Sequence, residues 1–300
     1  MKQITTILAV LVSFTMSAQL SSVTENSKTG QRLTGSTAAN HGDIGSNAVD
    51  LSYSDGASNT RGATGIASTA MGFKTTASGS YSTAIGDNSF ATGTASTAIG
   101  SYTTASGYRS TTMGDGTIAT DYASLTIGRY NSVNKTVTTG GNATSFDTDN
   151  AAFVIGNGTL WNATSDAFVV YFNGNATLSG DLTINSDARL KDNIQPLGST
   201  LNKLHQIEGK TYSLKKDEEH TPKIGVLAQE VQAVFPELVT EGGDGILSVN
   251  YQGLVPVLIN AINEQELKMS EQDAKIAALE EMVRLLALKQ SKTSSTAAAN

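Results

Sequence analysis

At 300 residues the chain has room for about two domains, and its formal net charge of −7 argues against nucleic acid as the main partner, since phosphate binding needs a basic face. The absence of Cys excludes a disulfide scaffold, a thiolate metal site and a cysteine nucleophile, and the three His (His41, His205, His220) lack the spacing of zinc ligands. The averages conceal two unlike halves. Residues 1–185 hold 8 Lys/Arg and 11 Asp/Glu, whereas residues 186–300 hold 12 and 16 together with all four Pro.

Residues 1–18 read as a signal peptide. Lys2 is followed by an apolar run from Ile4 to Met16, and Met16-Ser17-Ala18 offers small residues for cleavage. The run is too short to span a bilayer, so export is expected without a transmembrane anchor. Residues 19–64 carry no clear pattern and are read as an irregular segment.

From Gly65 to Asn134 the chain falls into five units of equal length, the first of them GIASTAMGFKTTAS. Gly recurs at 65, 79, 93 and 107, and Ser at 68, 82, 96, 110 and 124. A Met or Ile recurs at 71, 85, 99, 113 and 127, each followed by Gly. So short a unit cannot bury its own core and must stack on its neighbours. The alternation within Ser-Thr-Ala-Ile-Gly predicts a short strand. The fixed glycines predict corners of positive φ. One coil per repeat gives a parallel β-roll or β-solenoid. A disordered Gly/Ser/Thr tract, the alternative, does not require Met or Ile at one phase. Asp87, Asp115 and Asp121 fall at coil corners and are expected to face solvent, so no acid pair for glycoside cleavage is predicted.

The repeat closely resembles the head repeats of trimeric autotransporter adhesins. That resemblance implies a left-handed β-roll, three chains side by side, and a surface role with a host or surface ligand bound by the head. No segment of this sequence reads as the membrane β-barrel that ends those adhesins.

Residues 135–185 hold strand-like runs (152–159, 167–178 and 178–184) closed by Asn-Gly or Gly-Asn turns, and predict a β-rich neck. Residues 186–257 read as a small α+β domain. Its predicted elements are a helix then a strand in 201–214, a strand then a helix in 223–239, and a strand in 245–251 followed by a helix from about Gln252. That last helix carries a heptad over 258–289. Ile262, Met269, Ile276 and Val283 fall at a; Leu258, Gln265, Gln272, Leu279 and Leu286 fall at d. The pattern predicts a coiled coil, the alternative being an amphipathic helix packed on its own domain. Residues 290–300 are small and polar and are expected to be disordered.

The strings SDARLKDNI, KIGVLAQEVQAVFPELV and LSVNYQGLVPVLINAI, followed by a coiled coil, resemble the self-cleaving intramolecular chaperone at the C-terminus of phage endosialidases. This resemblance implies a homotrimeric chaperone that assembles the β-structure ahead of it and then cuts itself off, with no cofactor or metal. The family's serine falls on Ser186, its lysine on Lys191, and the cut between Asn185 and Ser186. Chemically, a Ser hydroxyl needs a base. A neutral Lys can serve, and burial or nearby Arg189 would favour its neutral form. Five residues of ideal helix leave two side chains roughly 140° apart, so a turn must join Ser186 to Lys191, or a neighbouring chain must supply the Lys. Without the resemblance, Ser186 would read as a turn cap and Lys191 as a solvated charge. The rival to self-cleavage is a structural fibre whose C-terminal domain only trimerises the chain.

Overall fold

A computed structural model describes residues 20–215, 217 and 219–297, with side chains to Lys289. The expected signal peptide lies outside the described residues. The chain forms two compact units that divide between Ile184 and Asn185.

The first unit is a β-solenoid. Seven strands run parallel in one sheet: Val49–Tyr53, Thr69–Phe73, Thr83–Asp87, Thr97–Ser101, Thr111–Asp115, Leu125–Arg129 and Ala151–Asn157. Between Thr69 and Arg129 each residue pairs with its equivalent in the next repeat, which aligns Ala70, Ala84, Ala98, Thr112 and Thr126. A second sheet of two-residue strands runs from Gly62–Ala63 to Ile118–Ala119.

The core is only one alanine deep from each sheet. Ala70, Ala84 and Ala98 of the long strands and Ala77, Ala91 and Ala105 of the short ones are 0% exposed. The recurrent Ser side chains are buried, and most are partnered: Ser68, Ser82 and Ser110 donate to the carbonyls of Gly65, Gly79 and Gly107 at 2.6–2.9 Å, whereas the Ser96 hydroxyl has no partner among the described residues. Alternation along each strand sends the neighbouring Met or Ile outward. Met71 and Met113 are 40% and 43% exposed.

The glycines play two roles rather than the one expected. Gly72, Gly86, Gly100, Gly114 and Gly128 do take φ between +94° and +134°. Gly65, Gly79 and Gly93 do not; there the backbones approach so closely that a Cβ on each would lie 2.0–2.2 Å from the next coil's carbonyl oxygen. The corners with φ near +50 to +60° hold Ala67, Tyr81, Ala95, Arg109 and Ala123 instead.

The same sheet extends beyond the clear repeats at both ends, through longer coils. Val49 pairs with Thr69, and Leu125 pairs with Phe153, so each of these coils carries an insertion relative to the coil from Thr69 to Thr83. A hairpin of Leu20–Glu25 and Lys28–Leu33 sits at the N-terminal edge, where capping blocks edge-to-edge association. At the other end Ala151–Asn157 turns back into Asp166–Tyr171 and Ala176–Leu178, both antiparallel.

Of the three corner acids, Asp115 meets Arg129 at the surface at 2.9 Å. Asp121 departs from expectation and is 0% exposed. It stands where earlier coils have Gly, and its carboxylate accepts from the N–H groups of Thr138 (2.8 Å) and Ala151 (2.7 Å). It thus ties the loop after the repeats to the next strand.

Asp50 pairs with Ala70 and so places a carboxylate in the alanine column, at 0% exposure. It faces His41 Nδ1 at 3.0 Å and Arg32 Nε at 3.4 Å, and it accepts from Ser52 Oγ at 2.6 Å. Arg32 also donates to Glu25 at 2.8 Å. Burial alone would raise the Asp50 carboxyl, but the hydrogen bonds from His41 and Ser52 outweigh it and hold the group below its ordinary range. A carboxyl lowered in this way stabilises the fold above its unfolded pKa of about 4, and that stabilisation disappears as pH falls through the lower native value. Replacing Asp50 by Asn removes the buried carboxylate that faces His41 and Arg32, leaving Arg32 with Glu25 as its remaining partner, and should cost about 1–3 kcal/mol at pH 7. Amide exchange over residues 41–54 checks this: the variant should lose protection at pH 7, and the gap from wild type should narrow below about pH 4.

Among the described residues the second unit has three α-helices: α1 (Leu201–Leu204), α2 (Ala228–Val234) and α3 (Leu254–Ala297). Two small antiparallel pairs join Lys210–Tyr212 to Lys223–Gly225 and Val239–Glu241 to Leu247–Val249. Val231, Val234 and Phe235 pack with Val257 of α3 in one core. Pro256 is tolerated because it lies in the first turn, where N–H groups have no helical partner. Past Lys289 the helix continues to Ala297 rather than giving way to the disorder expected over 290–300, since neither Gly nor Pro interrupts it. Among the described residues no helix is long and apolar enough to cross a membrane.

Candidate functional site

The second unit begins at Asn185, one residue ahead of Ser186. A single 3₁₀ turn, Ala188–Leu190, follows. The Asp187 side chain caps it by accepting from the Arg189 N–H at 2.9 Å. The turn closes through N–H bonds from Leu190 to the Asp187 carbonyl and from Lys191 to the Ala188 carbonyl.

The result is a contact between the two predicted residues. Lys191 Nζ donates to Ser186 Oγ at 2.7 Å within one chain. Of the two arrangements left open by the spacing, this structure shows the turn. Both side chains are exposed. So are the flanking apolar residues Leu182, Ile184, Leu190 and Ile194, at 58–72%.

Arg189 forms an ion pair with Asp187 at 2.6 Å. A hydrogen bond from Arg189 holds the Asp187 carboxyl below its ordinary range, and the same bond raises the Arg189 guanidinium. The pair compensates its own charge and rigidifies the turn.

A second polar cluster, not foreseen from sequence, ties the start of α1 to α3. Glu264 accepts from Thr200 N–H at 2.6 Å and from Ser199 Oγ at 2.9 Å. Asn260 donates to the Gly198 carbonyl at 2.6 Å. The bond from the Thr200 backbone leads the causes that hold the Glu264 carboxyl below its ordinary range. The segment leaving the Ser186–Lys191 turn is thereby anchored to the long helix from Gly198 onward. The sequence signal is an Asn and a Glu four apart, on one helical face.

Comparison with known proteins agrees with both halves. Residues 186–240 match the family described as the chaperone of endosialidase. Residues 63–89 and 91–120 match two copies of the YadA head domain repeat. The long tail fiber protein Gp37 of Escherichia phage AR1 is 35% identical over 121 residues, covering 36% of this chain and 11% of that protein. Gp37 of Salmonella phage S16 is 30% identical over 132 residues, covering 41% and 18% respectively. The chain thus spans under a fifth of the length of these relatives. Residues 186–240 are thus similar to the chaperone of endosialidase, and residues 63–89 and 91–120 of the solenoid to the YadA head domain repeat.

Proposed function

We propose that the chain is an exported, homotrimeric, adhesin-like fibre whose C-terminal unit drives assembly and then cleaves the Asn185–Ser186 bond. The observation that carries this reading is the 2.7 Å contact between Lys191 Nζ and Ser186 Oγ at the start of the chaperone segment.

The chemistry uses groups already in place. Unprotonated Lys191 takes the proton of the Ser186 hydroxyl, and Oγ attacks the Asn185 carbonyl carbon. The C–N bond then breaks as the Ser186 nitrogen accepts a proton, leaving Asn185 joined to Oγ as an ester. Water hydrolyses the ester, releasing an Asn185 carboxylate and a Ser186 with free amine and hydroxyl. In a single chain Lys191 is exposed. Burial of the flanking Leu182, Ile184, Leu190 and Ile194 by other copies would dry the amine and make cleavage follow assembly.

Two unpartnered apolar surfaces support association between copies. On the solenoid, Leu51, Met71, Ile85, Ile99, Met113, Ile127 and Ile155 form one in-register outward ladder. On α3 the heptad residues Ile262, Met269, Ile276, Leu279 and Val283 are 52–65% exposed. The double substitution Ile276→Lys and Leu279→Lys should shift the protein from trimer to monomer in analytical ultracentrifugation, and it should stop cleavage at the same time. A variant that stays monomeric yet cuts normally would separate assembly from processing.

The head repeats and the tail-fibre relatives support a surface-exposed location and a surface ligand. The structural reading, in which the C-terminal unit only trimerises, is favoured by the exposure of Ser186 and Lys191. Intact-mass analysis of freshly purified protein decides between them. A new N-terminus at Ser186 is the expected result; uniformly full-length trimer would leave the structural fibre.

A further inference from the structure

Near the end of the solenoid, two tyrosines mark equivalent corners two coils apart. Tyr102 and Tyr130 both take positive φ, 53° and 38°, and Gly116 holds the corner between them. A Cβ at Gly116 would lie 2.2 Å from the Tyr130 ring, so the missing side chain gives that ring its place. Beside them opens a cavity of ≈ 430 Å³, lined by Tyr102, Ile118, Tyr130, Lys135 and Trp161. This volume falls within the range of roughly 300–1,000 Å³ usual for small-ligand sites.

Trp161 is 74% exposed, yet its loop is firmly built. Gly158 N–H donates to the Arg129 carbonyl at 3.0 Å, and Ser165 N–H donates to the Tyr130 carbonyl at 3.1 Å. Thr159 and Ala163 close the tip through a further N–H bond at 3.0 Å. The loop therefore carries the indole on the same backbone segment that holds Tyr130. Tyr102 is 58% exposed. Arg129, the nearest other cation in sequence, is engaged by Asp115 and lies over the Tyr130 ring. Lys135 has no ion pair among the described residues.

Flat aromatic faces beside an uncompensated ammonium define the ligand. An apolar partner would leave Lys135 without a counter-charge. A simple anion would leave the rings unused. A sugar ring with a carboxylate satisfies both, its C–H face on an aromatic ring and its acid on the lysine. We propose that this cavity binds an acidic saccharide, stacking a pyranose on Trp161 and Tyr102 and pairing its carboxylate with Lys135. The inference rests on reading the solenoid as a surface-binding fibre. Its failure is distinguishable from failure of self-cleavage, because the cut at Ser186 is read by mass and the cavity by fluorescence.

Trp161 is the chain's sole Trp, so its emission reports the cavity directly. The full chain is titrated with a tetrasaccharide alternating glucuronic acid and N-acetylglucosamine, and with a neutral N-acetylglucosamine tetrasaccharide. The acidic probe should shift the emission saturably and bind about tenfold more tightly than the neutral one. Lys135→Gln should erase that preference. Tyr102→Ala should weaken the acidic probe about tenfold, with the thermal melt confirming that the variant is folded. Emission unmoved by either probe, equal affinity for both, or a preference that survives Lys135→Gln would overturn the proposal. So would an indole already shielded from iodide in the assembled protein, since another copy would then cover the cavity.

Discussion

Ser186→Ala should leave the chain entirely at full length, with the trimer intact, under conditions where wild type yields a new N-terminus at Ser186. Lys191→Ala removes only the base, worth about 10²–10⁴ in rate, so slow residual cleavage is expected. The wild-type rate should rise with pH, because the amine must be unprotonated to accept the hydroxyl proton. The intrachain contact makes a sharper demand. When Ser186→Ala and Lys191→Ala chains are folded together, the Ser186→Ala chain should stay whole and the Lys191→Ala chain should be cut no faster than when folded alone. If the Lys191→Ala chain is cleaved faster in mixed trimers, a neighbouring lysine serves as base, and the turn Ala188–Leu190 is not the active arrangement. Electrophoresis under denaturing conditions, with chains distinguished by a tag, reads all of these outcomes.

The site was legible as two residues but not as a geometry. The five-residue spacing excluded a shared helix face and required a turn or a partner. Only the fold shows a capped 3₁₀ turn, with Asp187 held by Arg189. The Glu264–Thr200 anchor was invisible because it joins α3 to a segment far back along the chain.

The solenoid was legible wherever the repeat kept a constant length. Its outer turns were missed because insertions changed that length. Val49–Tyr53 stands further from Thr69–Phe73 than one repeat, which hides Asp50's place in the alanine column. Ala151–Asn157 likewise stands well beyond one repeat from Leu125–Arg129, although Ile155-Gly156 reproduces the pair at Ile127-Gly128. The repeated Met/Ile is also a false guide to the core. Periodicity marks positions that alternate between faces, but it does not say which face closes inward. Here two glycine columns and two alanine columns bring the walls close, so along the repeats the inward column holds only Ala and Thr, and the larger Met and Ile point out.

That narrow interior makes Gly86→Ala a severely damaging small change in the solenoid. Gly86 has φ +121°, where an L-residue is strained, and its Cβ would lie 2.0 Å from the Gly100 carbonyl oxygen. The obstructing atom is backbone in a hydrogen-bonded rung, so no rotamer change relieves it. Overpacking costs about 1–3 kcal/mol and a forced left-handed residue about 1–2 kcal/mol more, which together approach the stability of a small domain. Each coil is supported only by its neighbours, so a failed rung separates the turns before it from those after it. Gly86→Ala should therefore yield protein whose β-sheet circular dichroism is reduced and whose solenoid is cut by protease near residue 86. Gly56→Ala is the matched control, because a Cβ there meets nothing within 4 Å and φ lies outside the left-handed range. It should melt with wild type. If Gly86→Ala also melts with wild type, the coils are spaced more loosely than the alanine-deep core implies.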